Sequence, residues 1–253
     1  MSIIVIDIGN SSISTGFFTE AGLVIQKIDT QPLRSPSEYE TLFNGFIKEK
    51  NMDKMSEGVI ISSVVPGHTE ALKKACKTLS RKEPLILTHK LKTGINFEIK
   101  EPEKLGTDRI AASVGACELF GAPVAVVDFG TATTLNFTGS GNIYKGGAIM
   151  PGIGLMKKAL SSETAQLPDI DIARPLSPLG KDTEGNILSG IIYGTAGAVE
   201  RIISETEKTE GESYRAVATG GCSGLVVPFI KRDVHIEPFL VLKGLKIIYA
   251  RNL

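Results

Sequence analysis

The chain has 253 residues, 42% hydrophobic and 22% charged, with a formal net charge of zero. That length suits two lobes of ordinary size with ample core, and the composition is that of a globular protein. The balanced charge argues against the basic face that nucleic-acid binding requires, while three cysteines with no CxxC spacing argue against a disulfide framework or zinc site and point to a reducing cytoplasm. The N-terminal MSIIVIDIGN lacks a basic leader and reads as a first core strand, and no apolar run is long enough to span a bilayer. Strands are predicted near 3–8, 12–18 and 23–29, followed by a helix from about Pro36 to Lys50, with Tyr39, Leu42, Phe43, Phe46 and Ile47 at helical spacing. GVIISSVVP (58–66) reads as a buried strand entering a proline-started helix whose apolar stripe holds Leu72, Ala75, Cys76 and Leu79. A short strand (85–88) and a long loop then lead to LGTDRIAASVGACELF, an amphipathic helix with Thr107 as candidate N-cap.

The second half begins again. Strands are predicted at 124–128, 133–138, 143–148, 215–219 and 234–237, and helices at about 152–165, 184–208, 222–231 and 240–251, with the charged run 204–213 a solvated helix end. Residues 5–14 (VIDIGNSSIS) and 126–135 (VVDFGTATTL) are near copies: a strand ending in Asp-x-Gly, small polar residues, then another strand. Such a hairpin sets a carboxylate at the strand end and bares turn N–H groups to which a phosphate can come close. Two copies suggest two similar lobes gripping one nucleotide, divided as 1–115 and 116–253. The β-β-β-α-β-α order repeated twice resembles the duplicated ribonuclease-H-like lobes of the actin, sugar-kinase and acetate-kinase superfamily, an α/β fold whose active site lies in the cleft between lobes.

Phosphoryl transfer asks mainly for positioning and charge neutralisation. Asp7 is a candidate Mg²⁺ ligand, since magnesium needs only one or two carboxylates, and Gly9 to Ser12 can cradle the β- and γ-phosphates; the plain alternative is an Asp-Gly hairpin turn. Asp128, Gly130, Thr131, Thr133 and Thr134 form the second set, with Thr131 the best phosphate ligand and a cation expected between the two aspartates. In GTDR (106–109), Asp108 either favours the helix dipole or accepts a substrate proton, and Arg109 either pairs with a surface acid or grips a substrate anion. Thr183 can cap its helix, the glycines of KGGAIMPG and ATGGCSG can be plain tight turns, and His68, His89 and His235 share no metal-binding spacing.

DIGNS (7–11), SSVVP (62–66), LGTDRIA (105–111), VVDFGTATT (126–134), GGAIMPG (146–152), DTEGNILSG (182–190) and TGG (219–221) occur together and in order, so the sequence resembles the type III pantothenate kinases along nearly its whole length. The resemblance implies ATP-dependent phosphorylation of pantothenate, the first committed step towards coenzyme A, with Mg²⁺, a monovalent cation such as K⁺ or ammonium, and a homodimer. It places Asp7, Ile8, Gly9, Asn10, Ser11, Ser12 and Thr131 at ATP, Asp108 as proton acceptor, Gly106, Thr107, Asp108, Arg109 and Thr183 at pantothenate, and Asp128 at the monovalent cation. Three positions depart from the family pattern: Ser11 for a threonine, Asp182 for an asparagine, and Ile99 for a tyrosine three residues before Pro102. Two other readings are a nucleotide-switched regulatory protein without turnover and a kinase of another small hydroxylated acid.

Overall fold

The computed structural model describes residues 2–52, 57–80 and 82–253. The chain opens with β1 (Ile3–Ile8), β2 (Ser12–Thr19) and β3 (Gly22–Asp29), then α1 (Pro36–Glu49), β4 (Gly58–Ser63), α2 (Pro66–Ser80) and β5 (Leu85–Ile86). Helix α1 starts where it does because Ser35 and Glu38 form a capping box and Pro36 occupies the first turn. β6 (Asn96–Phe97) follows, then α3 (Thr107–Phe120), β7 (Val124–Phe129), β8 (Ala132–Gly139) and β9 (Ile143–Pro151). The chain ends through α4 (Ile153–Ser162), α5 (Thr183–Glu210), β10 (Arg215–Thr219), α6 (Ser223–Val226), β11 (Val234–Ile236) and α7 (Leu240–Arg251).

These elements form two compact units. The first comprises Met1–Gly94, Lys100–Gly115 and Leu240–Leu253, and the second Ile95–Ile99 and Ala116–Phe239. A single cut after residue 115 therefore leaves two segments with the opposite half: α7 packs on β1, β2 and β4, and β6 pairs in parallel with β9.

In the first unit the sheet order is β3-β2-β1-β4-β5, with β1 antiparallel to β2 and parallel to β4. Strand β1 is apolar on both faces because both are covered. Ile4, Ile6 and Ile8 meet Tyr39 and Phe43 of α1 and Leu72 and Cys76 of α2 in one core. Burial pushes the Cys76 thiol up to about 12, so it behaves as a small apolar group. His68 is likewise structural: its Nδ1 lies 2.6 Å from the Tyr39 hydroxyl, and desolvation lowers its pKa. Helices α3 and α7 touch through glycine, since a Cβ at Gly115 would stand 2.7 Å from the Leu240 carbonyl oxygen.

In the second unit the order is β11-β10-β7-β8-β9-β6. Its inner strands repeat the first unit: β7 is antiparallel to β8 and parallel to β10. Ala125, Val127 and Phe129 of β7 pack on Ile187, Ile191 and Val199 of α5 in its core.

Three local expectations are corrected. Asp182, not Thr183, caps α5: its side chain accepts from the Gly185 N–H at 2.7 Å, and Thr183 is the first helical residue. Thr107 is likewise the first residue of α3 rather than its cap, and its hydroxyl reaches β4 instead. The helix predicted over 222–231 lasts only through Ser223–Val226, followed by a 3₁₀ turn containing Pro228, which has no N–H to continue it.

Candidate active site

The β1–β2 hairpin places Asp7 at the strand end, half-buried, with Asn10 and Ser11 exposed at the turn. The Gly9 N–H donates to the Ser12 carbonyl at 3.0 Å. Buried Thr30, just past β3, clamps this turn from outside: its hydroxyl donates to the Gly9 carbonyl at 2.6 Å and its N–H to the Ser11 carbonyl at 3.1 Å. Ile8 turns its side chain into the core, and its carbonyl accepts from the Val64 N–H. Only its backbone faces the turn chemistry.

Parallel pairing of β1 with β4 sets Ser62 beside Asp7. The Ser62 hydroxyl donates to Asp7 Oδ1 at 2.8 Å and lies 3.0 Å from Thr107 Oγ1, which also accepts from the Ser63 N–H at 3.0 Å. The first unit thus brings together two motifs that the sequence holds a hundred residues apart: the DIGNS turn and the GTDR helix start. Asp108 is half-buried, its Oδ1 accepting from the Arg109 N–H at 2.8 Å. Desolvation by burial raises its pKa above the usual 3.8, while that hydrogen bond and the Arg109 charge pull the other way. A carboxylate so raised is a better proton acceptor than an exposed one.

In the second unit, Asp128 is the penultimate residue of β7 and Thr131 is exposed at the turn, whose Gly130 N–H donates to the Ala132 carbonyl at 3.2 Å. Here glycines brace the hairpin. A Cβ at Gly152 would stand 2.5 Å from the Gly130 carbonyl oxygen, and one at Gly220 would stand 2.6 Å from the Phe129 carbonyl carbon and closer still to Asp128 Oδ1. Gly220 also holds φ at +87°, a value costly to side chains. Thr183 is exposed at the start of α5, lining an open, mainly apolar groove of about 840 Å³ with Leu155, Ala159, Leu160, Leu167 and Ile187. Ile99, in the second unit, lies beside Gly146.

Sequence reasoning missed Thr30 and the bond of Ser62 to Asp7. SSVVP was visible as a motif, but which strand it pairs with was not; Thr30 had no signal beyond being a hydroxyl at a strand end.

The profile of the type III pantothenate kinase family matches residues 3–205. The type III pantothenate kinase of Listeria innocua is 38% identical over 252 residues, covering 99% of this chain and 97% of that one. The chain belongs to the type III pantothenate kinase family. It is therefore a kinase, and GTDR and DFGTATT lie at the start of α3 and across the β7–β8 turn. Solved structures agree on the fold. A Campylobacter jejuni protein of the Baf transcriptional activator family superposes with a TM-score of 0.64 at 21% identity, covering 98% of each chain. A glucokinase from Streptomyces griseus does so at 0.55 with 15% identity, covering 99% of this chain and 98% of that one. Such likenesses show the fold, two duplicated α/β lobes. No helix among the described residues is long and apolar enough to cross a membrane.

Proposed function

We propose that the chain transfers the γ-phosphoryl group of ATP to the primary hydroxyl of pantothenate, giving 4'-phosphopantothenate and ADP in the cytoplasm. Family membership over nearly the whole chain carries this reading. The half-buried Asp108, its pKa raised, supports its part in the chemistry.

The Asp7–Ser12 turn takes the ATP phosphates through its N–H groups and the hydroxyls of Ser11 and Ser12, with Thr131 contacting ATP from the second hairpin. Among the described residues no cluster of three or more acidic, histidine or cysteine side chains forms a metal cage. Mg²⁺ fits the first hairpin all the same, because it is commonly held by one carboxylate together with substrate phosphates and water. Bound there, it neutralises charge on the transferring phosphoryl group; Asp7 is the residue that holds it. Asp128 offers a hard oxygen donor suited to K⁺ or ammonium. Gly106 to Arg109 bind pantothenate, the Arg109 guanidinium taking its carboxylate. Asp108 accepts the hydroxyl proton as the hydroxyl oxygen attacks the γ-phosphorus and ADP leaves in line. Thr183 contacts pantothenate, and the apolar groove beside it supports a homodimer, since a second copy would cover Leu155, which is 44% exposed.

ADP release measured with Mg²⁺ and K⁺, with and without pantothenate, tests the reading. Release that depends on pantothenate is expected. ATP binding without turnover would favour a nucleotide-switched regulator, and turnover with a different hydroxy acid would favour a kinase of that acid, with Ile99 the first position to substitute.

A further inference from the structure

We propose that Ser62 is a positioning residue that fixes the Asp7 carboxylate and ties it to the start of α3, so that one hydrogen-bond chain aligns the phosphate side with the acceptor side. The inference rests on the assignment of Asp7 to the ATP phosphates and of Asp108 to the acceptor hydroxyl.

Ser62 is fully buried in β4, in direct register with Asp7, and its side chain meets that of Asp7 rather than solvent. The direction of the chain follows from counting protons. A serine hydroxyl has one, and an ionised carboxylate can only accept, so Ser62 donates to Asp7 Oδ1 at 2.8 Å. At 3.0 Å from Thr107 Oγ1, Ser62 can then only accept, and the single Thr107 proton is shared between Ser62 Oγ and the Ser63 carbonyl at 3.2 Å. Thr107 in turn accepts from the Ser63 N–H at 3.0 Å. The sequence of donors is thus Ser63 N–H, Thr107 hydroxyl, Ser62 hydroxyl, Asp7.

Its far end is anchored. Ser63 Oγ accepts from the Val65 N–H at 3.0 Å and from the Thr69 hydroxyl at 2.7 Å, which fastens the end of β4 to the first turn of α2. Thr107 immediately precedes Asp108 on α3. A rotation of the Asp7 carboxylate would break the Ser62 bond, and with it the link from β1 to α3. A charge-assisted hydrogen bond of this length strongly restricts a carboxylate. Its loss without Thr107 moving should therefore affect ATP and Mg²⁺ far more than pantothenate, because Thr107 keeps its bond to Ser63.

The test uses the full chain with Ser62→Ala, Ser62→Thr and Ser62→Cys. Calorimetry gives the Kd for MgATP without turnover, and steady-state assays give the half-saturating Mg²⁺ and the two KM values. Ser62→Ala is expected to raise the MgATP Kd and the half-saturating Mg²⁺ by about 10-fold, with the pantothenate KM within about twofold. Ser62→Thr, which keeps the donor, restores both, and Ser62→Cys, a weak donor, falls between. In an Asp7→Asn background the Ser62→Ala change should have no further effect on MgATP affinity. A merely structural role would lower Tm and leave the Kd of the folded protein unchanged, and that result overturns the proposal. So does a full Ser62→Ala effect that persists in Asp7→Asn. If Ser62→Ala does not fold, Ser62→Cys and Ser62→Thr decide by the same Kd. If the wild type binds MgATP but does not turn over pantothenate, the function assignment fails, while the Kd comparison still judges Ser62.

Discussion

The two Asp-x-Gly hairpins share a strand–turn–strand path and differ in what holds them. Each closes with a Gly N–H on a carbonyl three or two residues ahead, Gly9 on Ser12 and Gly130 on Ala132. Around Asp7 the support is hydroxyl: Ser62 on the carboxylate, Thr30 on the Gly9 carbonyl. Around Asp128 it is close backbone contact: Gly152 against the turn and Gly220 against Phe129. The same register position that carries Ser62 beside Asp7 carries Thr219 beside Asp128, and the Thr219 hydroxyl donates to the Pro238 carbonyl at 3.4 Å. A duplicated motif has thus acquired two kinds of scaffold. Hydrogen bonds orient a carboxylate, whereas close-packed glycines fix a backbone.

Substituting each aspartate gives the largest contrast. Asp7→Asn should lower kcat/KM for ATP by about 100-fold or more, the scale seen when one preorganised charge contact is removed. Asp128→Asn should act mainly through the monovalent cation, raising half-saturating K⁺ by about 10-fold, a tenfold shift being about 1.4 kcal/mol. Titrating ATP and K⁺ separately for both variants checks this; equal effects of both substitutions on both titrations would dissolve the comparison.

Glycine substitution comes next. Gly152→Ala drives a methyl into the Gly130 and Thr131 carbonyls and should cost about 2–3 kcal/mol of stability. At Gly9 a Cβ meets only the Ser12 carbonyl oxygen, at 3.2 Å, so Gly9→Ala should cost about 1 kcal/mol or less. Urea midpoints compare the two, and a more damaging Gly9→Ala would reverse the assignment of scaffolds. An effect between those two should come from Thr30→Val, which keeps the shape but leaves the Gly9 carbonyl without its hydroxyl partner. A loss of about 1–2 kcal/mol is expected, with a weaker MgATP Kd; an unchanged Kd would show that the clamp holds the fold and not the phosphate turn.

Much of the fold could be read locally. Alternating and continuous apolar runs separated by Asp-x-Gly turns marked β1, β2, β7 and β8, and Pro36 ahead of the helical spacing of Tyr39, Phe43 and Ile47 marked α1. Failures came where a residue's partner lies far along the chain. Thr107 sits where an N-cap is expected, yet its hydroxyl bonds to Ser63, 44 residues back. Ser62 meets Asp7 across 55 residues, a contact that exists only once β4 has paired with β1. At 182–183 the error was a shift of one position between two good capping residues, which sequence alone does not resolve. Glycine roles were ambiguous for a similar reason: TGG signals a turn, but that Gly220 abuts Asp128 depends on β10 lying beside β7.

Asp108 carries the central claim. Its burial disfavours the charged form, so the sign of its effect on folding is set. As pH rises from the ordinary 3.8 through its raised folded value, the unfolded chain loses its proton first and stability falls. Asp108→Asn removes that cost at neutral pH along with the proton acceptor. The decisive measurement is single-turnover formation of phosphopantothenate by this variant at saturating MgATP and K⁺, with Tm and MgATP Kd measured on the same samples. The predicted result is a rate lower by about 100-fold to 10,000-fold, with an unchanged Kd and a Tm equal to or above that of the wild type. A near-normal rate in the folded, ATP-binding variant would contradict the account.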